Sequence, residues 1–378
     1  MPTNRDDAIE RLCATYRDVS QLGLVLGAGV SKDSGVPLYS KLAYDLLELA
    51  LKRRKLKGVP ESVIAFMQEQ ARQLRTGQAD GTPQDPDKIL QFVCDHLDPK
   101  ANLPLLVKQA LYRNVGTKLS HKMVASRTYR ENRTLDAVIT FCAALPGSVL
   151  APHLESRWET NPRVGGILTT NYDNLVEGSF GSKYGRSLLK PVTREGSRET
   201  VPGKRVIPVY HMHGYVSYVD DPSEPDGVKA SDLVIAEDDY YRTFYNLLGF
   251  SNVVATSFLR QFPCLFVGCS MADRNVRRIL YHLQRERIRS SEVWEHFAIL
   301  PPLPAGEQEF DDAVLSSFGV TAIRVADRDD LGAQVEVILR RVYLGLDGVE
   351  EEHWLAGKRG GWSRRKERAR RVGPASDT

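Results

Sequence analysis

Short apolar segments recur along this chain, and stretches with helical periodicity separate them. Several of these segments are apolar at nearly every position, which is typical of parallel strands that are covered on both faces. Alternation of this kind predicts an α/β fold with a doubly wound, mostly parallel, Rossmann-like sheet, in which ligands bind beyond the carboxyl ends of the strands. The clearest predicted strands cover residues 22–26, 164–170, 205–212, 262–268, 296–300 and 321–325.

One long interval interrupts this alternation. Its pattern is helical throughout, and in the last predicted helix Leu135, Val138 and Cys142 lie on a single apolar stripe. We therefore predict a large helical insertion module, residues 41–161, within an α/β domain formed by residues 1–40 and 162–346. The predicted helices of the module cover residues 41–52, 61–74, 87–97, 103–115 and 134–145.

Composition restricts the class of protein. The 378 residues are 42% hydrophobic and 26% charged, as in soluble globular proteins. No apolar run approaches the roughly 18 residues that span a bilayer, and the N-terminal segment lacks the apolar stretch of a signal peptide. We expect a cytoplasmic protein without membrane contact. The five cysteines include no C-x-x-C pair, so the sequence supports neither a disulfide framework nor a zinc ribbon.

The net charge of +3 is unevenly distributed. Residues 357–378 contain eight Lys/Arg and two Asp/Glu, a net of 8 − 2 = +6, which leaves 3 − 6 = −3 for the rest. A mildly acidic body is a poor general nucleic-acid binder, so we expect such contact only through the tail, residues 347–378. This tail is predicted to be basic and disordered, and a solubilising role is its alternative. A second basic stretch, residues 108–133, indicates either a phosphate or partner surface or a solvated helix face.

A glycine-rich turn, GAGVSKDSGVPLYS at residues 27–40, follows the first predicted strand. It matches neither the G-x-G-x-x-G fingerprint of dinucleotide-binding folds nor the P-loop. Gly27 and Gly29 can take positive φ and let backbone N–H groups face an anion. Ser31 and Ser34 add hydroxyl donors. The alternative is a strand–helix turn that binds nothing.

Three further polar stretches follow predicted strands. They read TTNYDNL at residues 169–175, YHMHGY at 210–215 and GCSMADRNV at 268–276. In a parallel sheet these stretches and the glycine turn would meet at one edge.

Taken in order, these four stretches resemble the sirtuin superfamily. The family's G-A-G-x-S-x-x-S-G-I-P-D-F-R is similar to residues 27–40, its T-Q-N-I-D to residues 169–173, its catalytic H-G to His213 and Gly214, and its G-T-S to residues 268–270. The resemblance extends from about residue 22 to 280 and implies a bound NAD. The residues that it assigns to NAD binding are Gly27, Ala28, Gly29, Ser31, Ser34, Gly35, Pro37, Tyr39, Thr170, Gly268, Ser270, Asp273 and Asn275.

The departures from that family are also informative. Protein-deacylating sirtuins carry a four-cysteine zinc module, whereas this chain has long helices and no C-x-x-C. The sequence looks closer to bacterial sirtuin-like proteins of anti-phage defence, which hydrolyse NAD and share the pattern G-x-S-x-x-D-x-N of residues 268–275. Their short forms imply a homo-oligomer, as a ring or stacked rings, and a possible HerA-type hexameric ATPase partner.

The chemistry of NAD cleavage suits the residues at the strand ends. Breaking the nicotinamide–ribose bond passes through an oxocarbenium-like state with a cationic leaving group, so no strong general acid is required. Asn171 and Asp173 can orient the carboxamide and water and stabilise charge on the ribose, and His213 can serve as base. Taken singly, Asn171 or Asp173 could instead cap a helix, and His213 could be a buried histidine with satisfied hydrogen bonds.

His211 is two residues before His213, so on a strand the two would share a face. A metal pair is conceivable, but no third ligand is apparent; we expect His211 to be structural and no metal to be bound. The predicted function is an NAD+ glycohydrolase that releases nicotinamide and ADP-ribose. The alternatives are a protein deacylase or ADP-ribosyltransferase, and a non-catalytic NAD or ADP-ribose sensor.

Overall fold

A computed structural model describes residues 5–53, 55–76, 85–115, 130–144, 163–184, 188–193, 206–218, 233–287 and 294–345. Within them, seven strands form one sheet in the order β3-β4-β2-β1-β5-β6-β7, and every neighbouring pair is parallel. This arrangement confirms the predicted doubly wound parallel sheet. The strands are β1 (Leu22–Leu26), β2 (Val164–Thr169), β3 (Leu189–Val192), β4 (Ile207–His211), β5 (Cys264–Val267), β6 (His296–Leu300) and β7 (Val320–Arg324).

Helices flank the sheet, and five of the described helices lie between β1 and β2 in the chain. The described α-helices are α1 (Arg5–Asp18), α2 (Tyr39–Lys52), α3 (Glu61–Thr76), α4 (Pro86–His96), α5 (Leu103–Leu111), α6 (Arg133–Ala143), α7 (Leu175–Tyr184), α8 (Glu237–Tyr245), α9 (Phe250–Gln261), α10 (Arg274–Arg287), α11 (Ala305–Ser317) and α12 (Leu331–Leu344). The helices predicted between residues 41 and 145 are present, with ends that differ by at most four residues.

Strand β3 has no counterpart among the predicted strands. It has only four residues, and one of them is Pro191, which lacks the N–H that a central strand must donate. Among the described strands it lies at the edge of the sheet and pairs with β4 alone. An edge position is where a strand tolerates proline, so the local sequence signal of β3 was too weak to predict it.

Alternate side chains of the strands enter two different apolar clusters, one on each face of the sheet. On β1, Leu24 and Leu26 belong to the cluster that includes α1, α6, α7 and α12, whereas Val25 belongs to the cluster of α9, α10 and α11. Leu24, Val25 and Leu26 are each at most 2% exposed. Burial on both faces explains why the strands are apolar at consecutive positions.

The helices between β1 and β2 share the first of these clusters. Buried residues of α2, α4 and α5 belong to the same apolar cluster as the sheet face, and α6 packs against α12. Phe141 of α6 contacts both Tyr16 of α1 and Tyr343 of α12, with ring centroids 5.3 and 6.4 Å apart. The division at residues 40/41 and 161/162 stays a prediction, and the tail of residues 347–378 lies outside the described residues.

Successive strands are added on one side of β1 up to β4 and on its other side from β5 onward, so the topological switch point of the sheet lies between β1 and β5. From β1 the chain continues to β2 and the β3–β4 edge, and then returns to the other side of β1 with β5. The last residues of the central strands stand level, because Leu26 pairs with Thr169 and Val267, and Thr169 pairs with His211. This switch point is where open α/β sheets bind their ligands.

Asn132 anchors the turn that leaves β1. Its Oδ1 accepts a hydrogen bond from the N–H of Leu135 at 2.9 Å and so caps α6. Its Nδ2 donates to the carbonyl oxygen of Val30 at 2.7 Å and to Oγ of Ser34 at 2.9 Å. The side chain is fully buried, so these bonds tie α6 directly to the turn.

We expect Asn132→Ala to lower the free energy of unfolding by about 2–3 kcal/mol, because it removes a cap and leaves buried polar groups of the turn without a partner. Asp85 is a matched control: it caps α4 through the N–H of Asp87 but is exposed, so Asp85→Ala should cost about 1 kcal/mol or less. Urea unfolding measures both. Equal losses in the two variants would contradict the anchoring role of Asn132.

Candidate active site at the strand ends

The stretches that follow β1, β2, β4 and β5 meet at the carboxyl edge of the sheet. Asn171 lies against Gly27, Asp173 against Ser31, and His213 against Asp273. Three of the polar side chains are nearly inaccessible, with Asn171 6%, Asp173 4% and His213 7% exposed. The structure therefore brings together the three residues that the sequence proposes for catalysis.

The glycine turn touches β5 more closely than any side chain would permit. A Cβ at Gly27 would lie 2.6 Å from the carbonyl oxygen of Gly268, and one at Gly29 would lie 2.8 Å from Cα of Gly268. Gly268 itself has φ of +67°. Close backbone approach is thus what these glycines provide.

Two expectations for this turn are wrong. Gly27 has a φ of −113°, and Gly29 does not have a positive φ either. The glycine of the turn that has a positive φ is Gly35, at +92°. The N–H of Gly27 donates to the carbonyl of Val267 at 3.1 Å, and that of Gly29 donates to Gly268 at 2.9 Å. The end of β5 and the residue after it accept these two hydrogen bonds, so in this conformation the donors do not face an anion.

The rest of the turn is also internally bonded. Residues 28–30 and 32–34, which include Ala28, form two short 3₁₀ segments, and the N–H groups of Ser31, Ser34 and Gly35 each donate to a carbonyl three residues earlier. Pro37 lies between these segments and α2. The turn is therefore a compact, self-bonded unit.

Asn171 is held at three of its four polar groups. Its backbone N–H donates to Oγ1 of Thr169 at 3.0 Å, its carbonyl oxygen lies 3.1 Å from Nδ1 of His211, and its Nδ2 donates to the carbonyl of Gly27 at 3.1 Å. Its Oδ1 is buried and has no hydrogen-bond partner among the described residues. Buried polar atoms are nearly always paired, so this oxygen is the most direct indication of a ligand position.

Asp173 combines a cap with a place in the site. Its Oδ1 accepts from the N–H of Leu175 at 3.1 Å, which caps α7, and from Oγ of Ser31 at 2.9 Å. Burial disfavours the carboxylate and raises the pKa of Asp173 to about 6, although both hydrogen bonds oppose the rise. Asp173 can therefore cap α7 and also belong to the site.

His213 is buried beside one carboxylate and two aromatic rings. Its Nε2 is 3.3 Å from Oδ2 of Asp273, and the rings of Tyr172 and Tyr240 lie 6.4 and 5.3 Å from the imidazole. Burial lowers the pKa of His213, while the carboxylate of Asp273 raises it, and the net direction is downward. The imidazole is thus neutral near pH 7, the form that can accept a proton.

His211 has different partners from His213. Strand β4 ends at His211, so the shared strand face predicted for the two histidines is wrong. Nε2 of His211 lies 2.8 Å from Oε1 of Glu177. Among the described residues, no group of three or more His, Cys, Asp or Glu side chains is arranged to hold a metal ion.

The remaining candidates occupy varied positions. Tyr39 donates from its hydroxyl to Oδ1 of Asp87 at 2.8 Å, which joins the start of α2 to α4. Thr170 follows β2, and its N–H donates to the carbonyl of Leu26. Ser270 is exposed, and its Oγ accepts from the N–H of Ala272.

The side chain of Asn275 makes its hydrogen bonds to residues of α9 and α10. Its Nδ2 donates to Oδ1 of Asn252, and its own Oδ1 accepts from Arg278 at 2.7 Å. It therefore joins α10 to α9. Its neighbour Asp273 faces His213 with Oδ2 and caps α10 with Oδ1, through the N–H of Val276 at 2.8 Å.

Sequence reasoning overlooked Glu177 and Tyr240. Glu177 lies four residues after Asp173, a spacing that could have indicated a neighbouring acid on the same helix face. Tyr240 is one of several aromatic residues in α8 and belongs to no motif, so only the packing of that helix over His213 reveals it.

Fold and strand-end residues define an α/β protein with a buried polar site at a topological switch point. Residues 165–323 match the family model described as the SIR2-like domain, which supports a sirtuin-like family. SIR2-like domains bind NAD, and enzymes of this family use it. The match covers less than half of the chain and excludes the glycine turn and all of the described helices between β1 and β2. No curated protein matches the chain.

In the part of the chain that the structure describes, no helix has the length and apolarity that crossing a membrane requires.

The raised pKa of Asp173 predicts a specific pH dependence of stability. The folded chain keeps this proton up to about pH 6, whereas a free Asp loses it near 3.8, so protonation favours folding. The free energy of unfolding should fall by on the order of 3 kcal/mol between pH 4 and 7 through this group, and Asp173→Asn should abolish that component. Urea unfolding of both proteins at pH 4.5 and 7.5 measures it. A constant difference between them at both pH values would contradict the assignment.

Proposed function

We propose that this chain hydrolyses the nicotinamide–ribose bond of NAD+ and releases nicotinamide and ADP-ribose. The observation that carries the proposal is Oδ1 of Asn171, which has no hydrogen-bond partner among the described residues and is buried at the switch point, on the same edge as a neutral His213. A buried acceptor without a donor costs roughly 1–3 kcal/mol. A carboxamide N–H or a water that donates to this oxygen would remove that cost.

Each of the three polar residues has a role that suits its surroundings. Asn171 holds the carboxamide or the attacking water through Oδ1. His213 is neutral and accepts a proton from that water, and Asp273 orients its imidazole. Asp173 is largely ionised at pH 7 and supplies negative charge near the oxocarbenium-like ribose.

We propose that the NAD-binding surface consists of the glycine turn and the stretches after β2 and β5, as the sirtuin-like pattern implies. Because N–H groups of Gly27 and Gly29 donate to β5, binding of the pyrophosphate exchanges internal hydrogen bonds for bonds to the phosphate oxygens, or uses donors outside the turn. Asn275 contributes by fixing the start of α10 rather than by touching NAD.

Incubation of the purified chain with NAD+ and detection of free nicotinamide tests this function. Nicotinamide and ADP-ribose in equal amounts support hydrolysis. Release that requires an acylated peptide would indicate a deacylase, and ADP-ribose attached to protein would indicate a transferase. Binding of NAD or ADP-ribose without turnover would indicate a sensor.

We expect Asn171→Ala and His213→Ala each to lower kcat by about 100-fold or more, because each removes a group that acts on the reacting atoms. His282 is the matched control: it is exposed on α10, so His282→Ala should leave kcat unchanged. Asp273→Asn should produce an intermediate loss. Initial rates of nicotinamide release measure all four variants. Near wild-type turnover by either of the first two would refute its assigned role.

We further propose that assembly controls this activity, because an unregulated NAD hydrolase would deplete a cofactor that its own cell needs. The resemblance to short sirtuin-like proteins of anti-phage defence favours a homo-oligomeric ring and a HerA-type hexameric ATPase as partner. We expect light scattering to give a mass well above the 42.3 kDa of one chain. A monomer that hydrolyses NAD at a constant rate, whether or not the protein encoded by the neighbouring gene is added, would contradict this proposal.

A further inference from the structure

His211 and Glu177 form a buried polar pair directly behind Asn171. Nε2 of His211 lies 2.8 Å from Oε1 of Glu177, and the side chains are 1% and 9% exposed. Nδ1 of His211 lies 3.1 Å from the carbonyl oxygen of Asn171. One ring nitrogen therefore meets a carboxylate and the other meets the backbone of the proposed catalytic asparagine.

Both acceptors constrain the protonation of the imidazole. A backbone carbonyl can only accept, so Nδ1 must carry a hydrogen. An ionised Glu177 can also only accept, so Nε2 must carry one as well, and His211 is then an imidazolium. Loss of the Nε2 hydrogen would set a lone pair against the carboxylate and weaken the contact that holds the ring.

The charged groups around the pair favour this assignment. Burial lowers the pKa of His211, but Glu177, the carbonyl of Asn171 and Asp173 raise it, and the net direction is upward. The other neighbours are the ring of Tyr215, 4.8 Å from the imidazole, and Tyr112, which burial and Asp173 keep protonated.

Asn171 is consequently fixed by groups that leave one atom for a ligand. Thr169 holds its N–H, His211 its carbonyl, and the carbonyl of Gly27 its Nδ2, while Oδ1 remains unpartnered within the described residues. Of these three contacts, the one from His211 is the only one that a proton can switch.

We infer that His211 and Glu177 form a positioning pair, which holds the backbone of Asn171 so that its Oδ1 faces the substrate. The pair does so only while Nε2 of His211 keeps the hydrogen that it donates to Glu177. This inference rests on the proposed NAD hydrolysis for its kinetic consequence, but not for the protonation state or for the placement of Asn171.

Kinetics test the consequence for turnover. His211→Ala should lower kcat by about 100-fold with little change in KM, because a small misplacement of Asn171 affects the transition state more than binding. Glu177→Gln can donate to Nε2 of a neutral imidazole that keeps its Nδ1 hydrogen, so it should retain several-fold more turnover than Glu177→Ala. The wild type should lose kcat at alkaline pH as the pair loses its proton, and Glu177→Gln should lack that limb.

A second buried histidine provides the control. His296 is fully buried at the start of β6, where its Nδ1 accepts from the N–H of Cys264. His296→Ala should therefore reduce stability but leave the pH dependence of kcat unchanged. An equal fall in kcat for the variants of His296 and His211 would reduce the effect to general destabilisation and overturn the inference.

NMR tests the pair without relying on any activity. With ¹⁵N-labelled histidine, the signals lost in His211→Ala should report two protonated ring nitrogens at pH 7 in the wild type and one in Glu177→Gln. The side-chain amide of Asn171, assigned through Asn171→Asp, should shift in His211→Ala but not in His296→Ala. A neutral His211 in the wild type, or an unmoved Asn171 amide, would overturn the inference. A wild type that fails to cleave NAD would refute the proposed function alone.

Discussion

The contact between the glycine turn and the end of β5 determines most of this site. The backbone of Gly27 and Gly29 lies against Gly268 with no space for a side chain between them. This contact brings the ends of β1 and β5 together at the switch point of the sheet, and it uses N–H groups that would otherwise be available to an anion. Asn171 then bonds to the carbonyl of Gly27, so its position depends on that contact as well.

Much of the fold could be predicted because it follows from simple periodicities. Burial on both faces makes β1 and β5 continuously apolar, and the helices after β1 each carry an apolar stripe. Strand β3 could not be predicted from its own residues, since its pairing with β4 at the edge of the sheet is what allows Pro191 in a strand.

The placement of the candidate residues at one edge could be predicted, but their hydrogen bonds could not. Parallel strands whose ends stand level bring Asn171, Asp173 and His213 to one edge, and that much follows from the pattern. The contacts that surround the site come from distant segments and depend on packing. Helix α8 places Tyr240 over His213, and Asn132, the cap of α6, bonds to the glycine turn. The conformation of Gly27 could not be read from its type, because glycine serves both positive φ and close approach.

The sharing of one apolar cluster has a consequence for how the molecule unfolds. Buried residues of α2, α4 and α5 and one face of the central strands pack into the same cluster, so separating the helices from the sheet would expose apolar surface on both. Unfolding of either the helices or the sheet would therefore expose apolar side chains of the other to water. We therefore expect the helices and the sheet to melt in one cooperative transition, as a single folding unit, although the chain crosses between them at two places.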